Sequence, residues 1–317
     1  MNTSVSCFIK ESVWRWKEIA LGFELTTCLF AVVGCVISLC CLKTSGKIEL
    51  VMKIQFTFIF AGTIVTCLVA LPGHVILEYL KFRCLPVNGK LLKTFLALYT
   101  ISAFIERNAF AVLAIFRFWA VCFPFKYKQF TRWTAVVGAE VALFVLITLL
   151  WLIDFITRGY SIQEMTNPSK DGMGQILYYS LLLVPQAVTA MAYSAVVSCM
   201  LYRKFCVTQR QGADDRDQVV KSVSILILMN LLLDVPHVAN HLTKASSTDL
   251  SYILIHVIYR LHFALDPFIF VGLNAHFRQQ VLRYVSSKLL RRKKVHASQT
   301  INANAHSRTQ SDTAQPA

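Results

Sequence analysis

The stretch Ile19–Leu42, IALGFELTTCLFAVVGCVISLCCL, contains no lysine or arginine, and its reading decides the fold. A run of about 20 mostly apolar residues makes a helix long enough to cross a bilayer. Six further segments have the same character, at roughly Ile54–Leu80, Thr94–Cys122, Thr134–Ile156, Ile176–Tyr202, Val219–Leu242 and Leu250–Leu273. The expected fold is therefore an all-α membrane protein, a bundle of seven transmembrane helices. The connections between these spans are short, and none before Phe277 is long enough to fold alone. No inverted repeat of the transporter kind is visible.

Composition agrees with the spans. Of 317 residues, 56% are hydrophobic and only 15% charged, against roughly 45–50% and about 25% in soluble domains. Mean hydropathy is +0.54. Soluble, collagen-like and small disulfide-stapled classes are excluded. The net charge of +15 does not require nucleic acid as a partner, because the basic residues flank the spans. Twenty of the 32 lysines and arginines fall on one side, ten on the other, and Arg107 and Arg260 lie within spans. The side with more basic residues is cytoplasmic by the positive-inside bias. The N-terminus is then expected outside the cell and the C-terminus inside. The glycosylation sequon at Asn2 falls on the outer side, as it should. The first 18 residues are polar and lead directly into span one, so no cleavable signal peptide is expected.

The expected domains are an extracellular segment 1–18, the seven-span unit 19–273, an amphipathic helix 274–290 on the membrane surface and a disordered cytoplasmic tail 291–317. Most of the ten cysteines lie in spans, where the thiol behaves as a small apolar group. Cys7 and Cys84 both face the oxidising side, where two readings stand, a bridge or two separate thiols. No nucleophile elbow, phosphate loop, zinc signature or other metal set is present, so neither an enzyme nor a resident cofactor is expected.

Local motifs sharpen the reading. After span three stands Phe116-Arg117-Phe118-Trp119-Ala120-Val121-Cys122-Phe123-Pro124-Phe125-Lys126-Tyr127. Span seven contains Leu265-Asp266-Pro267-Phe268-Ile269-Phe270, followed by Asn274 and Phe277-Arg278. Pro185 precedes Tyr193 by eight residues in span five; Pro236 lies in span six, Pro72 in span two and Gly34 in span one. In this order these features resemble the rhodopsin-like (class A) receptors that couple to G proteins, over roughly residues 19–285. The resemblance implies a plasma-membrane receptor that passes an extracellular ligand's signal to a heterotrimeric G protein. It implies that Arg117, Tyr193, Phe270 and Pro124 shape the coupling surface, and that Pro72, Pro185, Pro236 and Pro267 supply kinks. Ser298, Thr300, Ser307, Thr309, Ser311 and Thr313 in the tail are candidate phosphorylation sites for arrestin.

The chain also departs from the family pattern. Phe116 replaces the acid before the arginine, Gly62 the aspartate of span two, Asp234 the tryptophan of span six and Leu92 the cysteine at the head of span three. A divergent member is expected. Its closed state is held less firmly around Arg117 unless Asp215 or Asp217 substitutes for the missing acid.

Ionisable groups inside a span usually mark function or a paired interior site. Glu106 and Asp266 are expected to form a polar core. Two readings stand for it: a sodium site built from both carboxylates, or a Glu106 that is engaged with Arg107 or another helix or is simply protonated. Tyr99, Asp234, His237, His241 and Arg260 line the expected ligand pocket, with His262 nearby. The aminergic aspartate and the retinal lysine are absent, so the ligand class is a peptide or an anionic small molecule or lipid. Arg260 either holds that anion or pairs internally with Asp234 and latches spans six and seven. Two other functions remain open, a receptor-like scaffold or scavenger that does not couple, and a seven-helix transporter using Glu106, Arg107 and Asp266.

Overall fold

A computed structural model describes residues 11–46, 48–157, 172–206, 214–242, 249–284 and 286. Among the described residues the regular structure is entirely helical. In lipid this is forced, because every backbone N–H and C=O must be satisfied within its own segment. The helices are α1 (Glu11–Thr44), α2 (Leu50–Val65), α3 (Leu71–Phe82), α4 (Gly89–Cys122), α5 (Pro124–Phe130), α6 (Trp133–Thr157), α7 (Gly172–Cys206), α8 (Asp214–Leu242), α9 (Leu250–Arg260) and α10 (His262–Leu273). A π-helical turn, Thr66–Ala70, joins α2 to α3. Among the described residues seven helical stretches are long and apolar enough to cross a membrane, and they follow the seven expected spans. Span two combines α2, the π turn and α3, and span seven combines α9 and α10. Large side chains such as Leu29, Phe30 and Leu146 stay on the outside of the bundle, as a lipid-facing surface requires.

Two compact units divide the chain, Met1–Phe270 and Val271–Ala317. The first holds the bundle. Span three is its centre, packing on spans two, four and five, while spans one and seven meet and close the ring. The second unit begins with the last turn of α10 and continues as a helix over residues 275–284. Asn274 starts that helix, its side-chain oxygen accepting from the N–H groups of His276 and Phe277.

Several ends follow directly from local chemistry. Helix α1 is already helical at Glu11, ahead of the apolar run, and polar groups on these early turns find partners on α3. Lys17 Nζ lies 2.8 Å from Glu78, and the Tyr79 hydroxyl donates to Glu18 at 2.7 Å. Asn88 caps α4 by accepting from the Lys90 and Leu91 N–H groups. Pro124 opens α5, where a missing N–H costs nothing. Helix α3 ends in a Schellman motif, with Leu85 N–H on the Leu80 carbonyl and Cys84 N–H on that of Lys81. Cys84 holds the left-handed position there at φ 57° and is disulfide-bonded. Cys7, its expected partner, lies outside the described residues, as does Asn2.

Among the described residues three prolines stand inside helices, Pro185 in α7, Pro236 in α8 and Pro267 in α10. Pro72 stands one position into α3, just after the π turn. Proline has no N–H to close the α ladder. The chain absorbs the defect with a wider turn in which Leu71 N–H reaches back five residues to Thr66. Close approaches fix the neighbours. Gly73 carries the Phe95 ring where a Cβ would sit 2.3 Å from it, and a Cβ on Gly34 would meet Pro267 at 2.9 Å.

Candidate functional site

Sequence order sets the depth of each charge in the bundle, and helix geometry sets its direction. Glu106 and Arg107 are consecutive on α4 and therefore point to different neighbours. Glu106 faces spans two and seven. It accepts from the Thr63 hydroxyl at 3.0 Å and lies 3.6 Å from His262 Nε2. Arg107 faces the other way and forms a two-point ion pair with Asp234 of span six, with Nε 2.8 Å from Oδ2 and Nη2 on Oδ1. Gln186 of span five donates to the same carboxylate at 2.5 Å, and the Tyr259 hydroxyl lies 3.4 Å from Arg107 Nη2. Asp234 thus ties spans three, five and six together.

Arg260 does not pair with Asp234. Its guanidinium meets Glu24 of span one and donates to the Tyr99 hydroxyl at 3.3 Å. Arg260 and Glu24 are 6% and 5% exposed, which makes this an interior pair. The expected latch between spans six and seven is replaced by one between spans one and seven, because Glu24 faces Arg260 across their contact while Arg107 already fills the carboxylate of Asp234. An anionic ligand at Arg260 would have to displace Glu24. Tyr99 also stacks on His74 at 5.6 Å between ring centroids.

Asp266 sits below Glu106 in span seven. It accepts from Asn230 of span six at 2.7 Å, and its second oxygen, Oδ2, is buried without a hydrogen-bond partner. The polar groups surround a cavity of about 40 Å3, room for roughly two or three waters. Glu106, Arg107, Gln186, Asp234, Tyr259 and His262 are among its lining residues. Of the expected pocket residues, the structure brings Asp234 and His237 together at one place and Tyr99 and Arg260 at another. The side chain of His241 lies outside the described residues.

A third cluster occupies the opposite end of span three. Arg117 is 6% exposed, and its Nε has no hydrogen-bond partner. The phenols of Tyr193 and Tyr127 and the carboxylate of Glu49 surround the guanidinium. Burial and the nearby Glu49 carboxylate push the Tyr127 phenol up to about 12. The Tyr193 hydroxyl is also buried and unpartnered. Phe270 packs between Phe56 and Phe60, at 4.4 and 5.3 Å between centroids. Beside Pro124, Phe125 is 91% exposed. Glu49 occupies the neighbourhood in which Asp215 or Asp217 was expected, and the side chains of those two lie outside the described residues.

Sequence reasoning passed over Glu24, Gln186, Asn230, Thr63 and Glu49. Glu24 had a usable signal, since it is the one formally charged residue in the run Ile19–Leu42. The others are ordinary polar residues whose importance appears only when a partner from another span is in place.

No protein-family model matches the chain, and no curated protein matches its sequence. Among the described residues no group of three or more His, Cys, Asp or Glu is arranged to hold a metal ion.

Proposed function

We propose that this chain is a divergent receptor of the rhodopsin-like class, with its N-terminus outside the cell and Arg117 at the cytoplasmic end. One observation carries the reading. Arg117 is buried at the foot of the central span, enclosed by Tyr193 and Tyr127, while its Nε remains unbonded. A buried cation with an unused donor is poised to donate to a partner's carbonyl or carboxylate once the bundle opens. Pro236, two residues to the outer side of Asp234, leaves the Leu232 carbonyl without its α-helical N–H donor, so span six can bend at that level. An agonist favouring the open state shifts the population toward it. A ligand that reaches the middle of the bundle meets the Arg107–Asp234 pair, and its polar groups compete for one partner of that pair. The chain catalyses no covalent step in this scheme.

The test is a panel of Gs, Gi and Gq reporters with the wild type and Arg117→Ala at matched surface expression. The wild type signals without agonist, because Phe116 leaves Arg117 without the family's adjacent acid, and the substitution abolishes that signal. A wild type silent in every reporter, yet folded at the surface, favours a non-coupling scaffold or scavenger.

A second reading, a seven-helix transporter, is supported by the ionisable groups Glu106, Arg107, Asp234, His262 and Asp266 in the bundle interior. Current recordings in proteoliposomes test it directly.

A further inference from the structure

Glu140 of α6 takes no part in the schemes above. It lies inside span four, is 2% exposed, and both of its carboxyl oxygens are buried without a hydrogen-bond partner. It stands in a buried stripe with Val136, Ile147 and Trp151, all within about 40° of it around the helix. Ile147 and Trp151 pack with Phe104 of span three, so this stripe faces the bundle and not lipid.

A second polar side chain is stranded at the same level. Gln55 of α2 is fully buried, and neither its oxygen nor its nitrogen has a partner. Spans two and four both start at the Arg117 end of the bundle. Gln55 lies five residues in from Leu50, and Glu140 seven in from Trp133. At 1.5 Å per residue their depths are about 8 and about 10 Å. Direction agrees with depth. Around α2, Thr63 leaves the helix about 80° from Gln55 and Phe60 about 140°, in the same sense. Thr63 reaches Glu106 of span three, and Phe60 reaches Phe270 of span seven. Gln55 is turned back from both, toward span four, whose helix packs on α2.

The surroundings decide the charge state. The titratable groups nearest in depth on the two helices packed against α6 are Glu49 and Lys53 at the start of α2, and Arg117 and Cys122 at the end of α4. Lys53 leaves its helix about 160° from Gln55. Glu49 and Arg117 belong to the cluster with Tyr193 and Tyr127, and Cys122 turns to the Ala195 carbonyl of span five. Among the described residues no charge acts on Glu140. A carboxylate buried with neither a cation nor a donor is far costlier than the neutral acid, so such a group takes up a proton. A neutral acid and a primary amide are complementary. The acid O–H donates to the amide oxygen, and the amide N–H donates to the acid carbonyl. One added proton thus satisfies all four stranded atoms, whereas an ionised Glu140 leaves the amide oxygen orphaned. We propose that Glu140 is a proton-binding site in the Arg117 half of the bundle, with Gln55 as the partner of the protonated acid, directly or through one water. The site stands whether the chain is a receptor or a transporter. The folded bundle then holds a proton that the unfolded chain releases, so this contribution to stability is present in acid and is lost as pH rises.

The test uses the full-length chain purified in detergent. Thermal denaturation of the wild type and Glu140→Gln is followed from mildly acidic to alkaline buffer. The two are expected to melt together in acid and to diverge in alkali, with the wild type lower, because glutamine needs no proton. A gap that is the same at every pH overturns the site. Infrared spectra at neutral pH add a direct reading. The wild type shows a protonated-acid carbonyl band that Glu140→Gln lacks, and Gln55→Leu shifts its frequency. Identical spectra for wild type and Glu140→Gln overturn the proton, and an unmoved band in Gln55→Leu overturns the partner. Should Glu140→Gln fail to fold, the wild type is treated with dicyclohexylcarbodiimide. This reagent adds the O–H of a protonated acid across one C=N bond and spares a carboxylate. A peptide map with the adduct on Glu140 supports the site, and an unmodified Glu140 overturns it.

Discussion

Arg107 of span three and Asp234 of span six are joined by two charge-assisted hydrogen bonds across the interior of the bundle, with both side chains about nine-tenths buried. Removing one member of a buried pair leaves the other charge uncompensated and costs about 3–5 kcal/mol. Arg107→Gln and Asp234→Asn are each expected to destabilise by that order in thermal denaturation of the purified protein. The double replacement Arg107→Met/Asp234→Leu recovers most of the loss. Under the receptor reading each single substitution also raises basal signalling, because span six loses its tie. Single variants as stable as the wild type would remove the pair from the account.

Glu24 and Arg260 make an independent test of the contact between spans one and seven. Glu24→Arg and Arg260→Glu are each expected to reduce surface expression severely, since each puts two like charges together in the interior. The exchanged double variant, Glu24→Arg/Arg260→Glu, regains expression. Flow cytometry on an epitope-tagged chain measures all four. Equal loss in the double variant and the singles would show that the residues act separately.

At Gly73 the constraint is steric. A methyl group there would lie 2.3 Å from the Phe95 ring. Overpacking of this kind costs typically 1–3 kcal/mol. Gly73→Ala is expected to lower the denaturation temperature, and Phe95→Ala in the same chain to remove the extra penalty. An unchanged midpoint for Gly73→Ala alone would mean that spans two and three part without cost.

Cys84 is disulfide-bonded at the end of α3. Peptide mapping under non-reducing conditions is expected to recover it linked to Cys7. Cys84→Ser then costs about 2–4 kcal/mol, the usual worth of a bridge. A Cys84 peptide linked to any other cysteine would reassign the pairing.

Apolar run length made all seven spans legible, and span seven, Leu250–Leu273, keeps the same limits in the structure. Span one was read short because hydropathy stops at Ile19, whereas its first turns are held by Lys17 on Glu78 and Glu18 on Tyr79. The identity of the interior charges was equally plain, since each stands out against an apolar background. Their partners were not. Arg260 and Asp234 lie at plausible depths for each other, but depth says nothing about the angle at which a side chain leaves its helix. Glu106 and Arg107 illustrate the point, because adjacent residues on α4 reach His262 and Asp234 on different spans. Glu49 was invisible for another reason, since an acid in a short connection reads as solvated charge until Arg117 and Tyr127 are placed beside it.

The pairing of Glu24 with Arg260 sets a problem for biosynthesis. The two residues are 236 positions apart, so at about 5–20 residues per second the ribosome needs on the order of 10–50 s to deliver the second after the first. Throughout that interval the first span waits in the membrane with an unanswered acid. The ring can seal only when the final helix leaves the insertion machinery, which makes the junction of first and last spans the closing event of assembly. Chains halted before Arg260 are then natural targets for the quality-control proteases of the membrane.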